Sequence, residues 1–125
     1  MRKGQRKSAD NYIRLLSRAH DGLKKALALG RHDIAKDLLE QCQDAAIHLG
    51  GIIEISEGDK NPCIALLEEY CEAVYQIYEK IGRKQRVDAN KAYKNLRKMV
   101  IQAGNIIKND TDTRTEAVFL PYMFS

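Results

Sequence analysis

Three cysteines, three histidines and a cluster of carboxylates are the residues of this chain whose types and spacing could do chemistry. Cys63 follows Asn61-Pro62 at the start of a helix, where the positive end of the helix dipole can lower a thiol's pKa. A nucleophilic cysteine also needs a base, and no histidine lies near Cys63 in sequence. Cys42 and Cys71 fall on apolar stripes and read as small hydrophobes in a reducing compartment. An odd cysteine count with no C-x-x-C pair fits neither a disulfide framework nor a zinc site. His20, His32 and His48 form no H-x-x-x-H spacing, and no Glu-x-x-His occurs, so the di-iron chemistry of helical bundles lacks its ligand pattern. Asp44 and His48, four apart, are the nearest approach to a metal pair, and the histidines are expected to be exposed or ordinary boundary residues. Glu68, Glu69 and Glu72 could form a carboxylate pair for acid–base work, which needs a cleft and split pKa values. Their place early in a helix equally suits a solvated face matched to the dipole. No glycine-rich phosphate loop and no G-x-S-x-G elbow is present. Neither a catalytic residue nor a metal ligand is expected, and no cofactor is implied.

The elements that would position these groups are helices. Apolar residues recur with alternating gaps of four and three in four segments. The series are Tyr12, Leu16, Ala19, Leu23, Ala26; then Ala35, Leu39, Cys42, Ala46, Leu49, Ile53; then Ile64, Leu67, Cys71, Val74, Tyr78, Ile81; and Ala89, Tyr93, Leu96, Val100, Ala103, Ile107. Each series lays one stripe along a helix, and four such stripes predict an all-α, four-helix antiparallel bundle with one shared core. Helix starts are expected near Ser8 or Asp10, after Arg31-His32-Asp33, at Asn61-Pro62 and at Asp88. Stops are expected at Gly30, near Ser56, at Gly82 and near Asn109-Asp110. Gly50-Gly51 interrupts the second helix at a propensity cost of about 2 kcal/mol, and so predicts close helix packing or a kink. Residues 27–35 resemble the turn of a tetratricopeptide repeat, but no second copy follows after about 34 residues, as that architecture requires.

Charge is distributed unevenly. Residues 1–7 hold Arg2, Lys3, Arg6 and Lys7 and read as a disordered basic tail, with binding of an anionic partner such as RNA, together with the fourth helix, as the alternative. Removing those four from the 21 basic residues leaves 17 against 17 acids, so the body is neutral, which argues against nucleic acid as a partner. From Glu54 to Lys80 there are seven acids and two bases; from Arg83 to Lys98, seven bases and one acid. These stretches either attract each other across neighbouring helices or leave a basic docking patch on the fourth helix. The candidates for anion binding in that patch are Arg83, Lys84, Arg86, Lys91 and Lys94. Tyr75 lies off the third stripe and is a candidate anchor for a protein partner. Beyond the bundle (8–109), residues 110–125 read as a short extended C-terminal tail. Its apolar Val118, Phe119 and Leu120 are candidates for partner binding or for homodimer formation. No apolar run approaches the ~18 residues of a membrane span, and no apolar stretch follows the basic start as in a secretory signal. A cytoplasmic location is expected.

Three stretches together carry a family resemblance: residues 45–58 (AAIHLGGIIEISEG), 66–79 (LLEEYCEAVYQIYE) and 116–122 (EAVFLPY). Their order resembles the helical N-terminal regions that precede CDP-glycerol glycerophosphotransferase-like domains in clostridial-type proteins. The resemblance covers most of the chain from about Ser8. It implies that Val118 to Tyr122 is the first strand of a following domain, and it transfers no catalytic residue to any position here. In architecture the chain is also similar to flagellar export chaperones, small cytoplasmic bundles that cradle a partner's helices, although Met1 to Lys7 replaces their tyrosine-rich N-terminal segment. Both likenesses imply a non-catalytic interaction or accessory module with a protein partner.

Overall fold

In the computed structural model the chain forms four helices: α1 (Lys3–Ala28), α2 (His32–Glu57), α3 (Pro62–Gly82) and α4 (Ala89–Phe124). The structure describes the backbone of residues 1–124 and the side chains of residues 1–109. Sequential helices pack side by side and α4 closes back onto α1, so the four axes form a square. Contacts such as Tyr93–Asp21 and Tyr78–Glu40 join the early part of one helix to the late part of its neighbour, as antiparallel packing requires. The expected all-α bundle is the observed one.

Local chemistry explains the joints. Gly30 takes φ +69°, Arg31 N–H donates to the Ala26 carbonyl at 2.8 Å, and Gly30 N–H donates to Leu27 at 3.2 Å. This paired closure satisfies carbonyls that the end of α1 leaves open, and glycine reaches the left-handed backbone without a Cβ clash. The Asn61 side chain accepts from Cys63 N–H at 2.9 Å, and the Asp88 side chain accepts from Lys91 N–H at 3.1 Å; these are the expected caps of α3 and α4. α3 stops at Gly82, as expected. Gly82 remains helical, and the left-handed residue is Lys84 (φ 58°), with Gln85 N–H closing onto Lys80 at 2.8 Å.

Both ends depart from the sequence reading. Residues 1–7, expected as a disordered tail, instead supply the first turns of α1. The Gln5 side chain accepts from Arg2 N–H at 3.0 Å, capping the start, and the Met1 amine lies 3.0 Å from Glu57 Oε1. Residues 110–124, expected to be extended, continue α4. Each residue added to an existing helix gains a backbone bond, whereas a lone strand has no edge to pair with.

The core contains Leu16, Leu23, Leu39, Leu49, Ile53, Val74, Leu96 and Val100, all almost fully buried. The stripes of α1, α2 and α4 lie largely where expected; Tyr12, Ala89 and Tyr93 are only half-buried. The α3 stripe is turned by one residue at alternate positions. Its buried series is Cys63, Leu67, Tyr70, Val74, Ile77 and Ile81, which leaves Ile64, Cys71 and Tyr78 half-buried on the flank. That rotation sends Tyr70 inward and turns Ile64 and Cys71 toward α2.

Candidate partner-docking groove

The groups singled out for chemistry are dispersed. Cys63 is fully buried, with its Sγ 3.8 Å from the Ala103 carbonyl, so its thiol faces the α3–α4 contact and not solvent. His48 Nδ1 is bonded to the Asp44 backbone carbonyl at 2.7 Å and its ring stacks on Tyr12, so the Asp44 carboxylate and the imidazole do not pair. His32 is exposed at the start of α2. Glu68 and Glu72 border the groove between α2 and α3, while Glu69 faces the one between α3 and α4, so the helix splits the cluster. Among the described residues no three His, Cys, Asp or Glu side chains gather as a metal site would require.

His20, expected like the other histidines to be an exposed or boundary residue, lies instead in the core. It is fully buried, and its Nε2 meets the Tyr70 hydroxyl at 2.5 Å across the diagonal of the bundle. Tyr70 is bonded in turn to Cys42. His20 Nδ1 has no partner among the described residues. The tautomer that fits places the proton on Nε2, donating to Tyr70, because a bare lone pair costs less in a dry core than an orphaned N–H. Protonation would create that orphan. Burial, with a smaller contribution from the Arg97 charge and opposition from Asp21, lowers the His20 pKa to about 4. Burial likewise raises the Tyr70 hydroxyl and the Cys42 thiol, so all three groups stay neutral. A closed, neutral chain of three in the core is a packing device. The signal for it was present: the series through Cys63, Tyr70 and Ile77 has the same four–three spacing as the one through Ile64, Cys71 and Tyr78, and both share Leu67, Val74 and Ile81.

The open feature lies on the other side of the same two helices. Between α2 and α3 runs an apolar groove of about 550 Å³. Ala46, Gly50, Ile64, Leu67 and Cys71 form its apolar lining; Ile47 and Tyr75 flank it from opposite helices, 59% and 50% exposed. Glu54, Glu68 and Glu72 border it, and no basic residue does. Gly50 and Gly51 lie within it. A Cβ at Gly51 would meet nothing within 4 Å, and one at Gly50 would meet only Leu67 Cδ1 at 3.8 Å. The pair therefore serves no close packing, contrary to expectation, and α2 continues unbroken to Glu57. The close approach in the bundle is elsewhere, where a Cβ at Gly22 of α1 would come within 3.2 Å of Leu38. Ile47, Gly51 and Ile55 share one helical row, and Ile55 is 82% exposed. Cys71 is half-buried in the groove, and burial, assisted by Glu68, raises its thiol pKa. A hydrogen bond to Glu79 raises the exposed Tyr75 hydroxyl.

The remaining candidates fall into two groups. Arg83, Lys84, Arg86, Lys91 and Lys94 are all exposed. Among the described residues, Arg83–Glu79 at 3.5 Å is the one ion pair in this stretch, and it lies along the end of α3 and not between α3 and α4. Val118, Phe119 and Leu120 lie outside the residues with described side chains. No described helix is long and apolar enough to cross a membrane. Compared with known proteins, the chain matches no family model, no curated protein and no solved structure.

Proposed function

We propose that this chain is a non-catalytic helical docking module in a reducing, cytoplasmic compartment, and that a protein partner binds in the α2/α3 groove. One observation carries the reading. Gly50 and Gly51 cost α2 about 2 kcal/mol of helix propensity, and nothing within the fold uses the space they clear. A partner backbone lying over that space would use it. The exposed Ile47 and Tyr75 beside it are of the apolar and aromatic types that anchor interfaces. As a module of this kind it would accompany a larger machinery, such as a glycerophosphotransferase-like domain or an export apparatus, without transferring a group itself.

Cys71 supplies the test, because Cys42 and Cys63 are fully buried and only Cys71 is open to alkylation in the folded state. A library of amphipathic helical peptides is screened for binding to the chain and to its Ile47→Asp variant. Binders are expected to slow alkylation of Cys71 and to lose about tenfold or more in affinity for the variant. Binding that leaves Cys71 fully reactive moves the partner surface elsewhere, and a library without binders removes the reading.

A separate observation favours a second reading. Among the described residues the exposed bases of residues 83–94 make one ion pair, Arg83–Glu79, which suits an anionic polymer such as RNA or polyphosphate. Such binding would weaken steeply with added salt. Its absence at low ionic strength would eliminate this option.

A further inference from the structure

We infer that the occupant of the α2/α3 groove is a basic amphipathic helix of a partner protein, about three turns long, with its apolar face seated between Ile47 and Tyr75 and its lysines or arginines meeting Glu54, Glu68 and Glu72. This inference rests on the docking reading and adds the chemistry of the ligand. Charge is the first argument. The chain as a whole carries +4 at neutral pH and so attracts anions at long range, yet this groove is bordered by three carboxylates and no base. The groove between α1 and α2 is bordered instead by Arg14 and Arg18. The groove between α3 and α4 has a single carboxylate, Glu69, and no base, so what is particular to the α2/α3 face is the cluster of three carboxylates beside exposed apolar side chains. None of the three carboxylates has an ion-pair partner within 4 Å among the described residues; Glu72 Oε1 accepts from Gln76 Nε2 at 3.4 Å, and a carboxylate keeps further lone pairs for an incoming cation.

Shape is the second argument. Ile64 to Tyr75 spans eleven helical steps, about 16 Å along α3, which matches about eleven residues of a docked helix. Glycines at Gly50 and Gly51 allow an α-helix to approach α2 more closely than side chains would, as small residues do wherever helices meet at short range. An extended strand has no sheet edge to pair with here, since among the described residues there is no strand.

The probes are two 14-residue helical peptides with an identical leucine face, one flanked by lysine and the other by glutamate. Affinity is measured by calorimetry and occupancy by protection of Cys71 from alkylation. The lysine peptide is expected to bind at least about tenfold more tightly than the glutamate peptide at low salt, with the gap closing as salt rises. The exposed triple substitution Glu54→Gln, Glu68→Gln, Glu72→Gln should remove that preference, with thermal unfolding confirming an intact fold. If both peptides protect Cys71 equally, the basic-partner inference is overturned and docking stands. If neither protects it, docking itself fails. If Cys71 becomes protected with rising protein concentration and no peptide, the occupant is a second copy of the chain and the inference is likewise overturned.

Discussion

The inner and outer faces of the α2–α3 pair are built from the same two helices and have opposite character. Inside, Leu39, Cys42, Leu49, Tyr70 and Val74 exclude solvent, and the one polar chain among them, His20–Tyr70–Cys42, is closed on itself. Outside, a few residues away on the same turns, Ile47, Gly51, Ile55 and Tyr75 leave apolar surface and backbone uncovered. The difference shows where this fold keeps its stability and where it has room for function. An inner substitution alters packing and should change stability, while an outer one should change recognition with the fold intact.

The comparison breaks most visibly through matched truncations. Leu39→Ala should destabilise the chain by about 2–5 kcal/mol in urea unfolding, because it leaves a cavity. Ile47→Ala on the outer face should stay within about 0.5 kcal/mol; a comparable loss at Ile47 would mean that the outer face is a second core. The next largest effect is acid sensitivity. The folded His20 pKa of about 4 lies below its ordinary 6.5, so between those values the unfolded chain binds a proton that the native core refuses. Stability is therefore undiminished by this group above about pH 6.5, falls as pH drops, and loses about 3 kcal/mol in all by pH 4. His20→Gln should flatten that part of a stability–pH profile; an unchanged slope would assign the acid response to other groups.

Two smaller effects sharpen the contrast. Gly50→Ala with Gly51→Ala should raise stability by about 2 kcal/mol, since both methyl groups meet open space or ordinary contact. The same change should weaken any ligand that protects Cys71, so stability and affinity would move in opposite directions. Lys84→Gly serves as the neutral reference. It relieves a left-handed backbone at the end of α3 and should add about 1 kcal/mol in thermal unfolding, with no effect on groove binding.

Much of the fold was legible because helical periodicity is a local property. The four–three spacing, Gly30, Asn61-Pro62 and Asp88 each act within a turn or two of chain, and all appear as expected. The candidate site was legible only in part. Tyr75 was singled out for lying off the third stripe, and it does flank the groove. Gly50-Gly51 was noticed for its cost but assigned to close packing or a kink, because sequence cannot tell which side of a helix lacks a neighbour.

By itself, then, the sequence determined the number of helices, most of their caps and the choice of residues that could face a core. Only the tertiary structure decided which of two equally spaced series on α3 turned inward, and with it the partnership of His20 with Tyr70. It also decided that the glycine pair faced outward. The physical reason is that burial is a relation between distant segments: a residue 50 positions away fixes whether a tyrosine is an anchor in the core or a surface feature.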